Sequence, residues 1–386
     1  MKVRSYSVGI LFSATGSYGT VGRTMLNGAL LACRQINNDP LAGIALDPVA
    51  VDPGSSLAAY APAAESLLAK GIRHVMGCYT SSSRKEVIPI FEKRDGLLWY
   101  PAHYEGFESS TNVVYTGSSP NHHVLPLVDY LVSRFGRRAF CVGSNYIWAW
   151  ESNRVLREEM AKRGGLVTAE RYLSVGETDV GQVIDTIFEL QPDFVFNTLI
   201  GESAYAFFRA FRKSCADRGI DQVSRFPIAS CNLSEPELYE IGPEARDGHL
   251  SSSVYFASID SQANRNFVAD YNAAFPDGPA ASAEAEAAFI AVKLLASALR
   301  DAGSDDIRRV KESVTRQTLV APQGHVFIDP ETLHAYLTPR LGRSRTDGQF
   351  DIVMEAPSPV RPDPYLVRSS AAIEPAPRRP ALRIVS

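Results

Sequence analysis

Short apolar runs alternate with stretches of helical periodicity along the first 100 residues. The run at residues 7–12 leads into a glycine-containing loop, after which Met25, Ala29 and Cys33 recur at helical spacing. The same pattern predicts further strands at 45–51, 74–77 and 97–100 and helices at 56–69 and 82–94. Regular alternation of strand and helix is typical of a parallel sheet with helices on both faces.

The alternation restarts after Pro120 and indicates a second sheet. Predicted strands lie at 139–143, 166–173, 194–198 and 227–230 and from Gly248, and predicted helices at 120–135, 151–163, 179–190, 204–214 and 235–241. The alanine-rich helix 283–299 and the segment 305–315 have no strand of their own, so we expect them to return to the first sheet. The prediction is an α/β fold of two doubly wound parallel-sheet lobes.

The length of the chain supports this division, because a single hydrophobic core rarely extends over 386 residues. We expect lobe 1 to comprise residues 1–118 and about 252–330, and lobe 2 to comprise 119–251 and about 331–367. The proline-rich segment 368–386 is predicted to be a flexible tail without regular structure. The apolar face of helix 283–299 leaves two alternatives, packing within the chain or against a second copy in a homo-oligomer.

Composition excludes several classes of function. A net charge of −4 with dispersed Lys and Arg gives no basic face for nucleic acid. No apolar stretch approaches the length of a membrane span, and the apolar run near the N-terminus ends at Phe12. We therefore expect a cytoplasmic protein without membrane insertion, or a periplasmic one if a leader has been removed. The five cysteines form no CxxC pair and no nucleotide-binding loop is present, so neither a metal nor a cofactor is predicted.

Two segments that follow predicted strands in lobe 1 carry candidate binding residues. In the segment 77–86, Ser83 and Glu86 have capping-box spacing, and the N-terminus of the helix could receive a ligand oxygen beside Tyr79 and Ser81. The alternative is that these serines only cap the helix. The segment 99–108 brings Tyr100, Ala102, His103 and Glu105 to the same sheet edge, where ligands of open α/β folds bind. An aromatic loop that only packs against its neighbour is the alternative here.

Lobe 2 has a comparable segment at 144–153, where Tyr146 and Trp148 follow a predicted strand. Two aromatic loops that face each other would form a ligand cleft between the lobes. Catalysis by a Cys78–His103 pair, or by Ser81 with His103 and Glu105, is conceivable but has no GxSxG elbow to support it. We predict that the protein is not an enzyme, and that His122 and His123 mark the start of a helix.

Several motifs in combination resemble a known family. They are Gly9-Ile10-Leu11-Phe12-Ser13, Gly77-Cys78-Tyr79 with Arg84-Lys85, Tyr104-Glu105-Gly106-Phe107-Glu108, Gly143-Ser144 with Tyr146-Ile147, Ala321-Pro322-Gln323-Gly324 and Arg361-Pro362-Asp363-Pro364-Tyr365. Over residues 5–367 the chain resembles the amide-sensing negative regulators of bacterial aliphatic amidase operons. These are cytoplasmic members of the type I periplasmic-binding-protein family, which also contains urea-binding and amino-acid-binding components of ABC transporters.

The resemblance implies a function and a set of residues. It implies a sensor that holds an RNA-binding antitermination protein inactive until an amide binds, with ligand contacts from Tyr79, Ser81, Tyr100, Ala102, Tyr146 and Trp148. Ala102 replaces a threonine of the regulators, Trp148 a tyrosine, and Asn232 and Leu233 two threonines. These departures put acetamide itself in doubt and leave a short amide or urea-like ligand. The alternative is the substrate-binding component of an ABC importer for urea, short amides or amino acids.

Overall fold

The structure is a computed structural model that describes residues 3–371 of the chain. Most of the tail predicted at 368–386 lies outside the described residues. The chain divides into two compact units. Unit 1 extends to Ser118 and adds Ile259–Leu337 and Pro359–Pro362. Unit 2 comprises Ser119–Ser258, Thr338–Ser358 and the described residues from Asp363.

Up to Ser118 the elements alternate as the sequence predicts. They are β1 (Arg4–Leu11), α1 (Gly19–Asn38), β2 (Ile44–Val51), α2 (Leu57–Ala69), β3 (His74–Gly77), α3 (Ser81–Lys93), β4 (Leu97–Tyr100) and β5 (Val113–Tyr115). The last strand has only three residues, too few to show a pattern in the sequence.

From Ser119 to Ser258 the alternation continues. The elements are α4 (Pro120–Arg134), β6 (Arg138–Ser144), α5 (Ile147–Lys162), β7 (Leu166–Leu173), α6 (Gly181–Leu190), β8 (Phe194–Thr198), α7 (Glu202–Ala216), α8 (Gln222–Arg225), β9 (Ile228–Ser230), α9 (Glu235–Ile241) and β10 (Leu250–Ser253). Helix α4 begins with a capping box between Ser119 and His122, which confirms the histidine pair as a helix start.

The remaining chain is less regular. Its elements are α10 (Gln262–Ala274), α11 (Ala283–Ala302), α12 (Ile307–Val314), β11 (Leu319–Ala321), β12 (Gly324–Ile328), β13 (Ala335–Tyr336), β14 (Arg340–Ser344), β15 (Phe350–Glu355) and α13 (Val367–Ala371). The prediction that the segment 368–386 lacks regular structure is wrong at its start, where α13 extends to Ala371. The carboxylate of Asp363 accepts hydrogen bonds from the backbone N–H groups of Val367, Arg368 and Ser369, which fixes the first turn.

Unit 1 contains a five-stranded parallel sheet in the order β2-β1-β3-β4-β5. Helices α1 and α11 pack closely against each other, so α11 returns to this unit as expected. Gly28 permits the approach, because a Cβ atom at this position would overlap the carbonyl oxygen of Ala285. The carboxyl ends of β3 and β4 lie side by side and carry the candidate residues of this unit.

Unit 2 contains a seven-stranded sheet in the order β15-β14-β10-β9-β8-β6-β7. Strands β6 to β10 are parallel, whereas β14 pairs antiparallel with both β10 and β15. Its core is rich in phenylalanine, including Phe207, Phe211 and Phe226. The two sheets confirm the predicted doubly wound α/β class. Within residues 3–371, no helix has both the length and the apolar character required to span a bilayer.

Candidate functional site

The turn between β3 and α3 places Tyr79 and Ser81 at the edge of the unit 1 sheet. Thr80 is the N-cap of α3, since its Oγ1 accepts a hydrogen bond from the Ser83 backbone N–H at 3.2 Å. The helix therefore begins at Ser81, two residues before the capping box suggested by Ser83 and Glu86. Thr80 therefore caps the helix, a role for which the sequence had suggested a serine.

Beside this turn lies a buried network of two cations and two carboxylates. The Arg84 guanidinium is fully buried and lies 2.9 Å from Glu105 Oε1 and 2.7 Å from Glu108 Oε1. Lys85 Nζ reaches Glu108 Oε2 at 2.5 Å, with its side chain 37% exposed. Formal charges within this network cancel, so it has no net charge to offer a ligand.

The guanidinium of Arg84 also packs against two aromatic rings. Its central carbon lies 4.7 Å from the ring centroid of Tyr100 and 4.8 Å from that of Tyr104. Burial raises the pKa of Glu108, but the nearby Arg84 and Lys85 outweigh burial and hold this pKa below its usual value. Burial also raises the pKa of Tyr100.

Several groups predicted to contact a ligand are already paired within unit 1. The Ser81 hydroxyl donates to the carboxylate of Glu105, and the Tyr100 hydroxyl donates to the backbone carbonyl of Tyr79 at 2.8 Å. Ala102 is buried, and a Cβ atom on Gly117 would overlap its carbonyl oxygen, so the loop after β4 is closely packed. The structure thus brings Tyr79, Ser81, Tyr100, Ala102 and Glu105 together, but the hydroxyls of Ser81 and Tyr100 donate within unit 1.

The geometry gives no support to the catalytic arrangements considered from the sequence. Burial raises the pKa of the Cys78 thiol to about 12, so the thiol is protonated at neutral pH and a poor nucleophile. The Ser81 hydroxyl proton is directed to Glu105 rather than to an imidazole. His103 Nδ1 lies 3.6 Å from Glu284 Oε1, a partner that sequence reasoning missed.

Glu284 is in the first turn of α11 and is only 5% exposed. Its Oε2 atom has no hydrogen-bond partner among the described residues. The ring of His103 lies edge-on to that of Tyr79, with centroids 6.5 Å apart, so Glu284 joins the cluster at the end of β3 and β4. The only signal in the sequence was an acidic residue at the start of a long alanine-rich helix.

In unit 2, Tyr146 and Trp148 follow β6 as predicted, but only Tyr146 lies in the connection between strand and helix. Tyr146 is the N-cap residue of α5, and Trp148 is buried in its first turn. The helix therefore begins four residues earlier than expected, with Trp148 and Ala149 buried in its first turn. The two rings stack with centroids 6.3 Å apart.

Asn232 follows β9 at the same edge of the unit 2 sheet. It is 5% exposed, and its Nδ2 donates to the carbonyl oxygen of Leu199 at 2.9 Å. This bond fixes the orientation of the amide and leaves Oδ1 without a partner among the described residues. The Oγ atom of Ser230 is also buried without a partner in the described chain. A buried polar atom in this state can form a hydrogen bond with another molecule.

Metal-ligating side chains are dispersed in the described part of the chain. Residues 3–371 contain no group of three or more His, Cys, Asp or Glu side chains that could hold a metal ion. All five cysteines are buried, and none of them forms a disulfide.

Comparison with known proteins adds a family and a set of relatives. A sequence model of the family described as periplasmic binding protein domain matches residues 6–371. Leu/Ile/Val-binding protein homolog 6 of Brucella abortus (strain 2308) is 22% identical over 336 residues, which cover 85% of this chain and 84% of that protein. Limonene hydroxylase of Geobacillus stearothermophilus is 26% identical over 129 residues, and the match spans only 24% of the hydroxylase and 33% of this chain.

A solved structure extends the comparison to the fold. The solute binding protein of an ABC transporter from Rhodopseudomonas palustris HaA2, in complex with p-hydroxybenzoic acid, superposes with a TM-score of 0.81 at 22% identity. The superposition covers 90% of this chain and 95% of that one. These similarities confirm the predicted fold.

Proposed function

Because the chain belongs to the periplasmic binding protein family, we propose that it binds a small molecule with N–H donor groups, as the substrate-binding component of an importer. The candidate ligands are urea, short amides and amino acids. The names of the relatives support the transport role, since one is a solute binding protein of an ABC transporter and another a Leu/Ile/Val-binding protein homolog.

We infer the ligand class from Asn232 Oδ1, which has no hydrogen-bond partner among the described residues. A buried carbonyl oxygen without a donor is costly, and the N–H group of a ligand would remove that cost. In unit 1 the donors of Ser81, Tyr100 and Arg84 already have internal acceptors. Asn232 Oδ1 can only accept a hydrogen bond, which fits the N–H group of an amide, urea or ammonium ligand.

We propose that the protein binds this ligand without converting it. The raised pKa of Cys78 and the pairing of Ser81 with Glu105 leave neither residue activated as a nucleophile. An assay of ammonia release from short amides tests this point. Release that disappears in Cys78→Ala or Ser81→Ala would overturn it.

Isothermal titration calorimetry of the purified chain tests the ligand class. The panel contains acetamide, propionamide, butyramide, urea, formamide, leucine and p-hydroxybenzoate. We expect binding of at least one N–H ligand, and Asn232→Leu should weaken it by about 1 kcal/mol, roughly five-fold. Asn153→Leu is the matched control. The side-chain amide of Asn153 is also buried, but its Nδ2 donates to the Tyr172 hydroxyl and its Oδ1 accepts from the Thr198 hydroxyl. Binding of p-hydroxybenzoate alone would refute the proposal.

A second candidate function is supported by the motif resemblance to amide-sensing regulators, which includes Gly77-Cys78-Tyr79 and Ala321-Pro322-Gln323-Gly324. Under this alternative the chain is a cytoplasmic sensor that controls an amidase operon through an RNA-binding partner. An importer component instead acts outside the cytoplasmic membrane. Deletion of the gene distinguishes them: loss of labelled ligand uptake supports the importer, and constitutive amidase expression supports the sensor.

A further inference from the structure

We infer that Glu284 binds a positively charged N–H group of the ligand, such as an ammonium, amidinium or guanidinium. This inference rests on the proposed function and narrows the ligand class. It is argued from Glu284 in unit 1, whereas the proposed function is argued from Asn232 in unit 2.

The carboxylate of Glu284 is buried and only half satisfied. Its side chain is 5% exposed, and Oε1 has the imidazole of His103 at 3.6 Å. Oε2 has no partner among the described residues. No Lys or Arg in the described chain lies within ion-pair distance of either oxygen, so the charge of this carboxylate has no permanent cation beside it.

The other buried carboxylates of unit 1 differ from Glu284 in this respect. Glu105 and Glu108 are matched by Arg84 and Lys85. Glu286, two residues after Glu284 and fully buried, accepts hydrogen bonds from the backbone N–H of Gln323 at 3.2 Å and from its Nε2 at 2.8 Å. Asp329 is also buried, and its Oδ2 lies 2.9 Å from Arg361 Nε. Glu284 is thus distinguished by an oxygen that has neither a hydrogen-bond donor nor a Lys or Arg cation among the described residues.

The position of Glu284 connects it with the candidate site. His103 follows Ala102 in the loop after β4, and its ring contacts that of Tyr79 in the turn after β3. A buried carboxylate without a cation is unfavourable, and a cationic ligand provides both a charge and a hydrogen-bond donor. A neutral amide would provide only the donor.

Isosteric ligand pairs separate charge from shape. Acetamide and acetamidinium have nearly the same shape, as do urea and guanidinium, and the members of each pair differ by one positive charge. Calorimetry on the wild-type chain should show the cation of a pair binding about ten-fold or more tightly, as expected for a charge-assisted hydrogen bond. Glu284→Gln should remove this preference. Its affinity for the neutral member should stay within about three-fold of the wild-type affinity. Glu286→Gln, the matched control, should retain the preference, and so should Glu284→Asp.

Two results would overturn the inference. One is that the wild-type chain binds the neutral member of a pair as tightly as the cation. This measurement does not depend on whether any variant folds. The other is a preference that survives Glu284→Gln. If amides bind and Asn232→Leu weakens them while Glu284→Gln has no effect, the proposed function stands and this inference fails. If only p-hydroxybenzoate binds, both fail.

Discussion

Replacing Arg84 with methionine should destabilise unit 1 strongly. The substitution leaves Glu105, which is 2% exposed, without its guanidinium partner, and it removes one of the two cations beside Glu108. Loss of one partner from a buried ion pair costs about 3–5 kcal/mol, because the remaining charge stays buried. For a unit of about 200 residues this corresponds to a decrease of roughly 7–12 °C in its melting temperature.

Lys85→Met is the matched control, because the two basic residues share the Glu108 carboxylate but differ in burial. Arg84 is fully buried, whereas the Lys85 side chain is 37% exposed, and exposed ion pairs contribute only about 0–1 kcal/mol. Urea denaturation followed by circular dichroism gives the free energy of unfolding for both variants. A cost for Arg84→Met no greater than that for Lys85→Met would refute the reasoning.

The pH dependence of stability provides a second measurement on the same network. Arg84 and Lys85 outweigh burial and hold the pKa of Glu108 below its value in the unfolded chain. A depressed pKa contributes stability that is present above the unfolded pKa and is lost as the pH falls through the folded pKa. The wild-type chain should therefore lose this contribution below about pH 4. In Arg84→Met the loss in that range should be smaller.

Three further variants or treatments follow from the packing. Trp148→Ala removes a buried ring beside Tyr146 and should shift calorimetric ligand preference towards longer amides; an unchanged ranking would exclude Trp148 from the site. Burial raises the pKa of Cys33 and of Cys78 to about 12. A thiol reagent should therefore label these cysteines slowly in the native chain and rapidly in the urea-unfolded chain. Fast labelling of the native chain would contradict their burial. Gly28→Ala should lower the free energy of unfolding by about 1–3 kcal/mol through overlap with α11, whereas unchanged stability would show that the helices can separate at little cost.

The fold was predictable where hydrophobic periodicity was strong. Strands β3, β4, β7 and β8 have the predicted bounds, because each is a short apolar or alternating run between clear turn signals. Helix α10 was missed, since it buries few apolar residues, Phe267 and Tyr271 among them. The antiparallel pair β14 and β15 was also missed, and only β14 joins the rest of the sheet, through β10, a strand far away along the chain.

The position of the candidate site could be predicted from the sequence, but the hydrogen-bond partners of its side chains could not. Parallel strands end at one edge of a sheet, so the segments after β3 and β4 had to meet, and Ser81 does contact Glu105. Which donor meets which acceptor depends on side-chain geometry that periodicity does not encode. The contact between His103 and Glu284 joins segments remote in sequence, so no local pattern could indicate it.

The internal pairing of donors has a consequence for ligand choice. A carboxylate ligand needs donors, and in unit 1 the strongest candidate, Arg84, is already engaged by Glu105 and Glu108. To bind a carboxylate there, the protein would have to break one of these buried ion pairs and leave a glutamate without its cation. The N–H groups of a ligand require no such exchange, because Asn232 Oδ1 in unit 2 and Glu284 Oε2 in unit 1 are each acceptors without partners among the described residues. A shared fold therefore does not imply a shared ligand, even with a relative of similar architecture whose structure contains p-hydroxybenzoic acid.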